Sequence, residues 1–112
     1  MAPAQRLKRR AEFRRAAAAG RKAAVHGLVL QAFDRGDAGP ARLGFTVTKK
    51  VGNAVIRNRT RRRLKEAARL LFAERPAAGM DLVLIGRDAT RMRRFTDLVE
   101  DLRRALGKTG VP

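Results

Sequence analysis

The chain has 112 residues, enough for one domain around one modest core, and its 45% hydrophobic content can fill that core. Its 27 Lys and Arg against 10 Asp and Glu give a net charge of +17, a self-repulsion that works against compaction unless a polyanion neutralises it. The lack of cysteine and the single histidine, His26, exclude disulfides, thiolate metal sites and imidazole-rich metal centres, so nucleic acid leads as partner and an anionic membrane comes second.

Met1-Ala2-Pro3-Ala4 runs directly into charged residues without the apolar core of a signal peptide, and no apolar run is long enough to span a bilayer, so a cytoplasmic protein is expected. Arg6 to Ala19 carries Leu7, Phe13 and Ala17 among good helix formers and stops at Gly20, which predicts a first helix with a basic exterior. Val25 to Phe33 predicts a strand, with Leu28, Leu30 and Ala32 on one face and Val29, Gln31 and Phe33 on the other. After the breaker cluster Asp34 to Pro40, Arg42 to Thr48 alternates Leu43, Phe45 and Val47 against Gly44, Thr46 and Thr48, which predicts an antiparallel hairpin partner.

Asn53 stands where an N-cap is needed, and a long helix follows until the segment Pro76 to Gly79. Ile56, Thr60, Leu64, Ala67, Ala68, Leu71 and Phe72 recur every three or four residues and form its core stripe. Met80 to Gly86 is a continuous apolar run with the pattern of an internal strand. Thr96 is positioned to cap a last helix bearing Leu98, Val99, Leu102, Ala105 and Leu106 and closed by Gly107. The expected fold class is α+β, a single domain over residues 1–112 in the order α-β-β-(β)-α-β-α.

Lys49 to Glu66 concentrates eight of the 27 basic residues in eighteen positions, against one acid. Arg57 with Arg61, Arg59 with Arg63 and Arg61 with Lys65 place like charges four apart on one helix, and cations crowd the N-terminal turns that the helix dipole reserves for anions. Asn58, a poor helix former, carries an amide that can donate and accept toward a ribose, phosphate or base edge. A solvated charged face would not violate local helix rules in three ways, so this face is read as a nucleic-acid surface.

Lys49-Lys50, Gly52-Asn53-Ala54-Val55, Arg57-Asn58-Arg59, Arg61-Arg62 and Lys65-Glu66 match, position by position, the signature of the bacterial ribonuclease P protein subunit family, which the chain resembles along nearly its whole length. The resemblance implies a compact α/β sandwich, like the second domain of a ribosomal protein, in which a small mixed sheet is flanked by helices, with a left-handed β-α-β crossover where base rates favour a right-handed one. It implies removal of the 5′ leader from precursor tRNA by a ribonucleoprotein whose RNA is catalytic. Mg²⁺ would be held mainly by that RNA, and the protein would contribute no catalytic residue and no metal ligand. The expected partners are the catalytic RNA, with one protein per RNA, and precursor tRNA, with neither membrane nor small-molecule substrate.

Carried onto this chain, the resemblance assigns RNA docking to Lys49, Lys50, Asn53, Arg57, Asn58, Arg59, Arg61, Arg62 and Lys65. It also implies a cleft for the single-stranded leader between the first helix and the sheet, with Arg9, Phe13, Gln31, Phe33 and Thr46 as its residues. The chain departs from the family there, carrying Ala16, Ala17 and Gln31 where bulky or aromatic side chains are common, so Phe33 is the candidate replacement. Phe13 either stacks on a base or anchors the helix to the core, and Thr46 and Thr48 either face the cleft or serve only as strand formers. The runs Arg6 to Arg15 and Arg91 to Arg94 either bind RNA or solubilise the chain. His26 has no partner in motif or spacing and is read as a surface residue. The rival readings are a ribosomal protein or RNA chaperone, a DNA-binding helix module, and a nuclease that needs no RNA.

Overall fold

A computed structural model describes residues 4–112. The reading of the chain start rests on Met1, Ala2 and Pro3, which lie outside those residues. The elements are β1 (Gln5–Arg6), α1 (Arg10–Ala19), β2 (Arg21–Ala24), β3 (Leu28–Asp34), β4 (Arg42–Thr46), a 3₁₀ turn (Lys49–Val51), α2 (Ala54–Glu74), β5 (Met80–Gly86), α3 (Asp88–Met92) and α4 (Phe95–Lys108).

The five strands form one mixed sheet in the order β1-β4-β5-β3-β2, matching the expected α+β class with helices on both faces. β5 lies at its centre, parallel to β4 and antiparallel to β3, and α2 connects β4 to β5. Leu28, Leu30, Leu43, Leu82 and Leu84 join residues of α2 and α4 in the main core on one face. On the other face α1 lays Ala16 and Phe13 against Leu7, Val83, Phe33 and Ile85. Covered on both sides, β5 needs an apolar residue at nearly every position, which is why Met80 to Gly86 has no polar alternation.

The expected β3–β4 hairpin is wrong, because β5 lies between the two strands. The segment after β3 crosses the start of β5 instead of turning back, with Arg35 N–H donating to Gly79 O at 2.9 Å and Gly79 N–H to Gly39 O at 2.7 Å. The first helix starts at Arg10 rather than Arg6, since Leu7 N–H donates to Leu43 O and draws Gln5–Arg6 into the sheet. Glu12 Oε1 then accepts the N–H groups of Lys8 and Arg9 and sets the helix start.

The strand expected from Val25 begins at Leu28, because Val25, His26 and Gly27 turn the chain between β3 and β2. Only glycine fits at 27, where a Cβ would stand 2.6 Å from Asp101 Oδ2 and 2.8 Å from Leu98 Cδ1. β4 ends at Thr46, with Val47 buried beyond it. Arg94, not Thr96, occupies the N-cap of α4, because the unexpected short helix α3 delivers the chain there. That helix also runs through Gly107 to Lys108, ending where Thr109 N–H donates to Ala105 O.

Candidate nucleic-acid interface

Asn53 begins α2 as its sequence position suggested, its side chain accepting from Ile56 N–H at 3.0 Å. Thr60, Leu64, Ala67, Ala68, Leu71 and Phe72 are all buried and Ile56 packs partly against the same core, so the core stripe faces inward and most of the cations lie on the outer side. No acid lies in the first turn, which leaves the Asn53 cap as the device that offsets the misplaced cations. Asn53→Ala should therefore cost about 1 kcal/mol in chemical denaturation, and Asn53→Asp, which keeps the acceptor and adds a favourable charge, should cost nothing.

The exposed side of α2 is ordered in rows. Arg57, Arg61 and Lys65 follow one another at four-residue spacing along one flank, Asn58 and Arg62 lie on the crest, and Arg59 and Arg63 take the other flank. Arg61 donates to Asn58 Oδ1 at 3.1 Å, so the amide nitrogen of Asn58 keeps both its donors for another partner. Partial desolvation, with Arg6 and Arg61 nearby, lowers the Lys65 pKa below the usual lysine range. Among the described residues, no carboxylate pairs with Arg57, Arg59, Arg61, Arg62 or Lys65. Lys49 and Lys50 are exposed on the 3₁₀ turn just before the helix, held there by buried Val51.

Arg63 behaves differently from its neighbours. Its guanidinium donates to the carbonyls of Arg91, at 2.6 Å, and of Arg93, so it braces the end of α3 against α2. Arg93 in turn forms a two-pronged pair with buried Asp101 at 2.8 and 3.0 Å, which holds the Asp101 carboxyl below its ordinary range. The Arg91 to Arg94 cluster thus divides, with Arg93 structural and Arg91 and Arg94 exposed beside the basic helix.

The residues expected in a cleft lie across the sheet from α2. Phe13, Gln31, Phe33 and Thr46 share the α1 face, each half-buried, while Arg9 is exposed at the N-cap of α1. Phe13 packs so tightly on β4 that a Cβ at Gly44 would stand 2.4 Å from its Cε1, which shows it anchoring the helix. The guanidinium of Arg15 covers Phe33, 4.4 Å from the ring centroid. Ala16 is buried against the sheet, where a larger side chain would lift α1 away. β2 contributes exposed Lys22 beside Gln31 to the part of this face that α1 leaves open. Thr48 is exposed past the end of β4, and His26 is exposed in the turn between β2 and β3.

One feature of this face was not foreseen. Asp81, inside the apolar run of β5, is fully buried and accepts from Arg15 at 2.9 Å, Arg35 at 2.7 Å and Arg42 at 2.7 and 2.8 Å. Burial alone would raise its pKa, but hydrogen bonds from Arg42, Arg35 and Arg15 outweigh that and hold it below the ordinary value. Arg42 also pairs with Glu12 at 2.5 Å, so α1, β4, β5 and the loop after β3 meet at one carboxylate. The sequence signal was a lone acid inside an internal strand, which demands a cationic partner.

Comparison with known proteins gives a family model described as Ribonuclease P that matches residues 1–110. The ribonuclease P protein component of Gluconacetobacter diazotrophicus is 66% identical over 108 residues, covering 96% of this chain and 93% of that one. Among solved structures, the RNase P protein of Staphylococcus aureus superposes with a TM-score of 0.79 at 26% identity, covering 95% of both chains. That of Thermotoga maritima gives 0.78 at 27% identity, covering 93% of this chain and 96% of that one.

Proposed function

The chain belongs to the ribonuclease P protein family, and from that premise we propose that it docks on the catalytic RNA through α2 and receives the precursor leader on the α1 face of the sheet. It is the protein component of ribonuclease P, the endoribonuclease that removes the 5′ leader of precursor tRNA, and the catalytic activity resides in the RNA. Its partners are the ribonuclease P RNA and precursor tRNA.

The observation that carries the docking surface is the row of cations on α2, which lacks carboxylate partners among the described residues and is fixed by a capped, core-packed helix. Each arginine that neutralises a phosphate releases condensed counterion and reduces the repulsion between two RNAs brought together. Lys49, Lys50 and Asn53 extend this footprint at the helix start, with one copy of the chain per RNA. On the opposite face, Gln31 and Thr46 line the open sheet, Phe13 and Phe33 bound it toward α1, and Arg9 supplies a cation at its rim. A polar and basic sheet surface of this kind suits a single-stranded leader.

When bound, Mg²⁺ supplies the activation of water, and we place it on the RNA. Arginine and lysine side chains only donate, so the cations that dominate the α2 face cannot ligate a metal ion, and the described residues contain no group of three or more acids, histidines or cysteines that could hold one. The residues present do not fit a resident metal. We place the chain in the cytoplasm with its RNA partners. No helix among the described residues is long and apolar enough to cross a membrane.

Reconstitution tests this reading. The purified chain should leave precursor tRNA intact, and added to ribonuclease P RNA at low Mg²⁺ it should restore leader removal that the RNA alone performs poorly. Cleavage by the chain without RNA would overturn the assignment.

A further inference from the structure

An apolar groove of about 430 Å³ opens between the β1–β4 edge of the sheet and the flank of α2. Leu43, Phe45, Ala68 and Phe72 form its floor, and Ala4 and Ala73 close its ends. It exists because β1 is only two residues long, so the edge of β4 continues without a neighbouring strand to fill the space under α2. Its volume is within the roughly 300–1,000 Å³ range of small-ligand sites. Its rim is cationic, made by Arg6, Lys65 and Arg69.

Of these three, Arg69 is satisfied by Glu66 at 2.5 Å, whereas Arg6 and Lys65 pair with no carboxylate among the described residues. Arg6 lies over the half-buried ring of Phe45, 5.8 Å from its centroid, so one flat apolar surface and one planar cation already face each other at the mouth. Arg6, Arg61 and Lys65 crowd together with no carboxylate paired to any of them among the described residues, so an anion entering here would meet three cations.

We propose that this groove takes one unpaired nucleotide of the catalytic RNA, its base against Phe45 and its phosphate between Arg6, Arg61 and Lys65. A flat aromatic group joined to an anion matches an apolar slot with a cationic lip, and single-stranded bases are commonly recognised on aromatic rings and guanidinium planes. The groove lies on the α2 face of the sheet, away from Phe13, Gln31 and Phe33, so the nucleotide belongs to the docked RNA and not to the leader. The proposal rests on α2 being the docking face and adds to it a contact that depends on base stacking.

Two variants test it in complexes with ribonuclease P RNA. Phe45→Leu removes the ring and keeps apolar bulk, and Ala73→Trp fills the groove from an exposed position without disturbing the core. Each should weaken RNA affinity about tenfold; Phe45→Leu should leave the slope of log affinity against log salt unchanged, because stacking releases no counterion, whereas Ala73→Trp, which also displaces the phosphate, should make it shallower by about one. Base-directed chemical probing should show one unpaired nucleotide that is protected by the parent chain and reactive with Ala73→Trp. Unchanged affinity with both variants, or no nucleotide whose reactivity changes, overturns the proposal. Arg62→Ala separates the two levels. If it weakens binding while the groove variants do not, only the groove reading falls. If it too is without effect, the docking face itself is wrong.

Discussion

Asp81→Asn should destabilise the chain by about 3–5 kcal/mol in urea denaturation, the largest loss expected from any single isosteric change here. The side chain keeps its shape but loses its charge, leaving Arg15, Arg35 and Arg42 gathered around a buried neutral amide. Total stability for a domain of this size is about 5–15 kcal/mol, so the variant should sit near its folding threshold. Asp37→Asn serves as the control, since Asp37 pairs with Arg35 at the surface and should cost little. The same group sets an acid limit. Because the folded-state pKa of Asp81 is lowered, its contribution is complete above the unfolded value of about 3.9 and disappears as pH falls through the folded value. Asp101 is shifted the same way by Arg93, so the parent chain should lose stability progressively as pH falls below about 4, and acid unfolding should come at higher pH in Asp81→Asn.

The triple change Arg59→Ala, Arg61→Ala and Arg62→Ala should lower affinity for ribonuclease P RNA by more than about a hundredfold and make the salt slope shallower by about two to three. Binding titrations across a series of salt concentrations read both quantities. The protein itself should become no less stable, because Arg61 repels Arg57 and Lys65 at four-residue spacing and alanine is a better helix former. Loss of affinity together with equal or greater stability would mark these side chains as retained for their partner. A matching loss of stability would instead assign them to the scaffold. Arg63 is excluded from the set because it is part of the scaffold, bonded to the carbonyls of Arg91 and Arg93.

The parts of this fold that were legible in the sequence are those where one local pattern outweighs its neighbours. Asn53 followed by a stripe at Thr60, Leu64, Ala67, Ala68, Leu71 and Phe72 could only be a capped helix packed on one side, and it is. The uninterrupted Met80 to Gly86 run required a strand covered on both faces, and β5 is that strand. The errors within the sheet are questions of pairing. Arg21-Lys22-Ala23-Ala24 is made largely of helix formers and becomes β2 only because β3 offers it a partner edge. Arg6 leaves the predicted helix for the same reason. Nothing within Leu28 to Thr46 says that the partner of both strands lies beyond the next helix, at Met80 to Gly86.

The candidate site was legible in a similar division. The cationic face of α2 announces itself through charges that violate helix preferences within a short span. The Asp81 cluster does not, since its three arginines come from α1, the loop after β3 and β4 and meet only when the sheet is assembled. Covering of the Phe33 ring by Arg15 is equally a product of assembly, as a residue in α1 meets one in β3.

The strand order β1-β4-β5-β3-β2 has a consequence for how the molecule comes into being. Until β5 has been synthesised, the earlier strands can make two separate pairs, β1 with β4 and β2 with β3, and no continuous sheet. The cationic helix therefore emerges from the ribosome before the floor it packs on exists, in a nascent chain surrounded by ribosomal RNA. Closure waits for the one strand that touches both halves and carries Asp81, so the buried carboxylate is also the last piece of the sheet to arrive. Polypeptides interrupted before that point carry most of the positive charge and none of the completed fold.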